Sequence, residues 1–285
     1  MMAVGTISLS REFVRALRPA LVVALVMVNC ILVVGALRDI PRLETIDWDT
    51  FATLPERLAS GTLYDLDDYW RWSPVAAWLL VPLASLGGLG YAALVAAHVA
   101  ILPTLGYRML PVLLSWPFVV DALEGNLFTF VVVLGVLAFS GSRWATYGFF
   151  SAFLLMPRPI MLAALLWLLA RDRRNIAAFA ILLAVHTALV ALSGYGSQWI
   201  ATLSRSGGDI ANLGNVSPSH WIGPVWLVIG IPLGAWLLSR GHVGPASLAI
   251  TPYVLPQYLL ALLWAPRPPR SARIREESWP TSACR

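Results

Sequence analysis

Long stretches almost empty of charge recur along this chain, and no other feature narrows its possible folds as far. Apolar runs lie near residues 19–37, 74–106, 109–121, 126–140, 144–170, 175–193, 221–239 and 245–264. About 20 apolar residues in a helix cross a bilayer. Only structures that satisfy their own backbone hydrogen bonds persist there. The chain is 58% hydrophobic and 12% charged, whereas soluble domains carry roughly 25% charge. A water-soluble core could not hide that much apolar surface. The expectation is an all-α, polytopic transmembrane helical bundle in one domain over residues 1–265. A Pro/Arg-rich tail over 266–285 reads as disordered.

Several runs are too short to cross alone. Residues 109–121 and 126–140 are of this kind, and Pro157 and Pro159 break 144–170. Short segments in pairs predict V-shaped helix pairs that meet near one membrane face, sealed by their neighbours. The first run follows Arg11, Arg15 and Arg18. Val34-Gly35-Ala36 would serve as a signal-peptidase site, but the length of the run fits an uncleaved signal-anchor better. Cys30 lies in that run and Cys284 in the tail, so no disulfide framework follows.

Charge predicts orientation. All 20 basic residues are Arg, grouped between apolar runs as in cytoplasmic loops, and they imply no nucleic-acid site. With the N-terminus inside, loop 38–72 falls outside. If 74–106 crosses once, bending at Gly87-Gly88, then Arg108, Arg143, Arg171, Arg173, Arg174 and Arg240 fall inside. Asp121, Glu124 and Asp209 then fall outside, as the positive-inside rule asks. The last run would end outside although the tail holds several arginines, unless Pro252 and Pro256 fold it into a hairpin.

On this reading the acidic first loop, the Asp121–Asn126 turn, the Met156-Pro157-Arg158-Pro159 break and loop 194–220 share the extracytoplasmic face. In the first loop Phe51, Leu54 and Leu58 have helical spacing, which predicts a helix on the membrane surface. Asp47 and Asp49 stand at its start, with Trp48 between them. A carboxylate in such a partly dry place can serve as a general base; equally, either one can simply cap the helix. Arg158 sits between prolines in an apolar run, where a bare cation costs about 3 kcal/mol. It therefore needs a lipid phosphate, a partner such as Glu124, or a path to the interface. Glu124-Gly125-Asn126 reads as a polar turn or a plain helix–helix connection. Trp199, Asn215 and His220 lie in the second loop, where Trp often marks only the interface. His98 and His186 read as satisfied core residues. Asp67-Asp68 is a cation site or a solvated pair. The sequence contains no zinc-ligand spacing, phosphate-binding glycine loop or Gly-x-Ser-x-Gly elbow.

These stations, in this order, resemble glycosyltransferase family 87. That family holds polyprenol-phosphate-mannose-dependent α-mannosyltransferases with the C-type membrane glycosyltransferase fold. The likeness rests on Asp47-Trp48, then Gly61 and Leu63-Tyr64, then Trp72-Ser73-Pro74 with Pro82-Leu83. It continues through Gly125-Asn126, where the family has Gly-Gln-x-Asn, and Met156-Pro157-Arg158-Pro159, where it has Lys-Pro. Trp199, Asn215-Val216-Ser217 and Thr251-Pro252-Tyr253 complete it. The resemblance implies an inverting hexosyltransferase of the plasma membrane, with its active site on the extracytoplasmic side. Its donor would be a polyprenyl-phosphate sugar, with mannose the family's sugar, and its acceptor a lipid or glycan. By the same resemblance Asp47 is the base, with Asp49 in reserve, and Arg158 clamps the donor phosphate. Substrate-binding positions are Trp48, Tyr64, Glu124, Asn126, Trp199, Asn215, His220 and Tyr253. No organic cofactor is implied, and a divalent metal stays open. The other function classes are a lipid or glycolipid transporter and a shortened, non-catalytic membrane partner.

Overall fold

The computed structural model describes residues 22–35, 46–64, 70–205 and 215–266. Asp39, Glu44, Asp65, Asp67, Asp68, Asp209 and the tail beyond Pro266 lie outside them. The described residues are all-helical, with no strand among them.

Among the described residues, three helical stretches are long and apolar enough to cross a membrane: Gly88–Leu105, Arg173–Ser193 and Ser219–Ser239. The rest of the bundle is built from shorter pieces. Helix α1 (Val22–Gly35) is apolar and largely exposed. Among the described residues it is anchored by Asn29, whose amide donates to Leu114 O at 2.9 Å and accepts from Trp116 N at 2.8 Å. Helices α2 (Ile46–Ala52) and α3 (Leu54–Ser60) follow, then α4 (Pro74–Ala84) and α5 (Gly88–Ile101). The bend expected at Gly87-Gly88 thus separates two helices, with Gly87 at φ 55.

The single surface helix expected in the first loop is two helices. Pro55 lies in the first turn of α3, where its missing N–H costs nothing, and the break falls just before it. Their apolar side does not face outward. Phe51 and Leu54 are 2% and 0% exposed, because Trp70 and Trp72 supply rings at 6.0 and 5.1 Å from Phe51.

Proline decides the rest of the path. Two 3₁₀ segments lead into α6 (Trp116–Glu124), which a tight turn joins to α7 (Phe128–Phe139). Helix α8 (Arg143–Leu155) ends at the Pro157/Pro159 break, and α9 (Leu162–Arg171) returns. Arg171 donates to Phe139 O at 3.4 Å, so α7 and α9 end together, away from the break. Helix α10 (Arg173–Leu192) runs back up to α11 (Gly196–Arg205). Beyond α12 (Ser219–Ile222), α13 (Trp226–Ser239) packs tightly on α14 (Val243–Ile250). At that seam Gly230 and Gly234 leave no room for a Cβ against Ala249 O and Ile250.

The final run folds into a hairpin, the alternative that Pro252 and Pro256 left open. A 3₁₀ segment, Pro256–Leu263, folds back on α14, and Gly244 N donates to Trp264 O at 3.2 Å. Trp264 therefore returns to the level where α14 began. Ala265 and Pro266 thus leave from the same end of the bundle as Arg240. The largest core cluster surrounds Phe128, Phe139, Phe149, Phe150 and Trp264.

Candidate functional site

Three hairpin tips and helix α2 meet at one point. The tips are the α6–α7 turn, the α8–α9 break and the loop between α14 and the last 3₁₀ segment. At their centre is the side chain of Asn126, which is 2% exposed. Its Nδ2 donates to Asp47 Oδ2 at 2.6 Å. Its Oδ1 accepts from Arg158 Nη2 at 3.1 Å and from Phe128 N at 3.1 Å. One amide thus stands between a carboxylate and a guanidinium from distant parts of the sequence. Gly125 places it there: φ 73 is a left-handed conformation, and a Cβ would lie 3.0 Å from Trp48 Cβ.

Arg158 is 9% exposed. Its guanidinium lies over three rings, Trp72 at 5.4 Å, Phe128 at 5.7 Å and Tyr258 at 5.4 Å. Each contact contributes about 0.5–2 kcal/mol when water is excluded, and together they hold the plane of the group. Its Nη1 is buried with no hydrogen-bond partner among the described residues.

The acids converge on this cation. Burial raises the Asp47 carboxyl above the usual aspartate range and Asp121 adds to the rise, while Arg158 and the Asn126 bond pull it down. Glu124 ends α6 in the same turn, where Gln257 Nε2 donates to its Oε2 at 3.5 Å. Burial, with Asp47 and Asp121 nearby, pushes Glu124 up to about 7 against the pull of Arg158. Tyr253, at the third tip, feels both Asp47 and Glu124, and burial lifts its phenol to about 12.

The positions expected from sequence divide into two groups. Asp47, Trp48, Glu124, Asn126, Arg158 and Tyr253 come together. Asp47 is more than a cap, because its carboxylate is turned to Asn126. Asp49 lies two residues on, which is the other side of a helix, and it is exposed. Tyr64 and Trp199 buttress the site from behind. The Tyr64 hydroxyl donates to Trp72 O at 2.6 Å, and Trp199 Nε1 donates to Arg71 O at 3.1 Å. Asn215 pins the loop of Tyr253, accepting from Val254 N at 2.9 Å and donating to Pro252 O at 3.2 Å. His220 packs on Trp221 at 5.5 Å, and no hydrogen bond joins it to the Asp47 network among the described residues.

Sequence reasoning missed Gln257 and Tyr258, and it quoted Trp72 only as a motif position. Adjacency to Pro256 was the available signal for the first two. No group of three or more His, Cys, Asp or Glu side chains able to hold a metal occurs among the described residues.

A wholly apolar groove of about 230 Å³ opens beside the network. Leu94, Leu127, Phe130, Val131, Leu134, Ala152 and Met156 line it. Leu127 adjoins Asn126, and Met156 is two residues from Arg158.

Comparison of the chain with family models, curated protein sequences and solved structures returns no match. Fold and site together define an all-helical protein with helices able to span a membrane and a buried acid–amide–guanidinium network where its hairpin tips meet.

Proposed function

We propose that this protein is a membrane-embedded inverting glycosyltransferase. It would move a sugar, mannose by resemblance, from a polyprenyl-phosphate donor to a lipid or glycan acceptor on the extracytoplasmic side. One observation carries this reading: Asp47 and Arg158 flank the single amide of Asn126. A base and a cation are thereby held at neighbouring positions in a water-poor site.

The chemistry follows from those positions. The acceptor hydroxyl oxygen attacks the anomeric carbon, and its proton passes to Asp47. A carboxylate made more basic by burial suits that task near neutral pH. The bond from the anomeric carbon to the phosphate oxygen breaks, and the electron pair leaves with the phosphate. The growing negative charge meets Arg158, whose Nη1 is unengaged among the described residues. Attack opposite the leaving group inverts the anomeric centre. The apolar groove by Leu127 and Met156 suits the first isoprene units of such a donor.

Membranes or bicelles holding the chain, given radiolabelled polyprenyl-phosphate mannose, should yield labelled glycolipid or glycan. Asp47→Asn should keep the fold and abolish that transfer. Wild-type turnover by the Asn variant would remove Asp47 as base.

A further inference from the structure

We infer that His98 and Asp121 are a positioning pair, which sets the Asn126 amide from outside the reacting groups. The inference rests on the glycosyl-transfer reading only for its kinetic consequence.

Asp121 grips the α6–α7 turn at two points. Its backbone carbonyl accepts from Asn126 N at 2.9 Å. Its Oδ2 accepts from Thr129 N, in the first turn of α7, at 2.7 Å. The turn between those points presents Nδ2 of Asn126 to Asp47 and Oδ1 to Arg158. A tilt of the first turn of α7 would carry Phe128 N away from Oδ1 and let the amide rotate.

His98 holds Asp121 in turn. It comes from α5, a separate element, and its Nε2 lies 3.4 Å from Asp121 Oδ2, an ion-pair distance outside hydrogen-bond geometry. Its Nδ1 bonds to Leu94 O at 2.8 Å, which fixes the ring on its own helix. Phe130 and Phe118 meet the imidazole edge-on at 4.6 and 6.4 Å. His98 and Asp121 are both 0% exposed.

A buried polar pair of this kind is a weak device for stability, since a well-packed apolar pair does as well or better. Its use is directional. A carboxylate answers to the positions of specific donors, which an apolar contact cannot impose. Asp121 Oδ1 has no hydrogen-bond partner among the described residues, so Oδ2 alone carries both the hydrogen bond from Thr129 and the charge contact with His98. Loss of His98 would free the carboxylate to swing from Thr129.

The test compares His98→Phe, which keeps the aromatic packing, with His98→Gln, whose amide can still reach Asp121. Both use the full chain in mild detergent. Amide exchange over Asn126–Thr129 should rise about tenfold in His98→Phe while α10 and α13 keep wild-type exchange. Transfer should lose about tenfold in kcat with the donor KM within about twofold, because the reacting groups are misaligned rather than removed. His98→Gln should recover most of both. If the Phe variant does not fold, His98→Leu supplies that arm.

Unchanged exchange at Asn126–Thr129, or a rise shared by the whole bundle, overturns the inference. So does a Gln variant as impaired as the Phe variant, or a loss that appears only in KM. Absence of transfer by the wild-type protein would overturn the glycosyl-transfer reading instead, and the exchange comparison would then decide the positioning role alone.

Discussion

Replacing Asn126 with alanine removes the centre of the network, and its cost follows from the bonds lost. Two of them reach charged groups, Asp47 at 2.6 Å and Arg158 at 3.1 Å. Hydrogen bonds to charged groups contribute about 1.5–3 kcal/mol each. The third leaves Phe128 N, a buried backbone donor, without its acceptor, at roughly 1–3 kcal/mol. These terms are not additive, since water entering the vacated space recovers part of them. A net loss of about 3–5 kcal/mol is expected. For a chain of this size that lowers the thermal midpoint in mild detergent by roughly 5–12 °C. Transfer should fall further than stability explains, because Asp47 and Arg158 lose their common register. A midpoint within about 2 °C of wild type, together with more than half of wild-type transfer, would refute the network as the organiser of the site.

Three other perturbations test separate parts of the argument. Glu124, at about 7, sits above the ordinary glutamate value. Folded and unfolded chains are both protonated below the ordinary value, so no cost arises there. As pH rises toward 7 the unfolded chain ionises first and stability falls, by about 3 kcal/mol once the folded pKa is passed. Unfolding followed across that range should show a steeper slope in wild type than in Glu124→Gln, where the raised Asp47 carboxyl still contributes. Arg158→Lys keeps a charge but loses the planar fork and its stacking on Trp72, Phe128 and Tyr258. The donor KM should rise about tenfold, measured by titrating the donor lipid. Gly125→Ala forces a side chain into φ 73 against Trp48 and should cost about 1–2 kcal/mol, read as a lowered midpoint without a change in pH profile.

Much of the path of the chain was legible before any coordinate. Proline at 157 and 159 announced the α8–α9 break, and proline at 252 and 256 left open the final hairpin that the chain adopts. Both work locally, by removing a backbone donor and clashing with the preceding turn. The membrane class followed from run length and the scarcity of charge. Asp47 and Arg158 stood out because a carboxylate beside an aromatic residue and an arginine between prolines are expensive in apolar surroundings. Amphipathic spacing misled at one place. It predicted one helix along the membrane surface with Phe51, Leu54 and Leu58 on its apolar side, whereas the segment is two helices and the rings of Trp70 and Trp72 meet Phe51 from within the fold.

The sequence by itself determined that the chain is helical, that it carries helices able to cross a membrane, and which ionisable groups would be costly to bury. Only tertiary structure decided their partners. Asn126 meets Asp47 across 79 positions and Arg158 across 32, and Tyr258 and Trp72 reach the same guanidinium from elements still further apart. A hydrophobic pattern records how deep a residue lies and which side of its own helix it occupies. It does not record how neighbouring helices are rotated about their axes, and in this bundle that rotation selects which polar side chains meet.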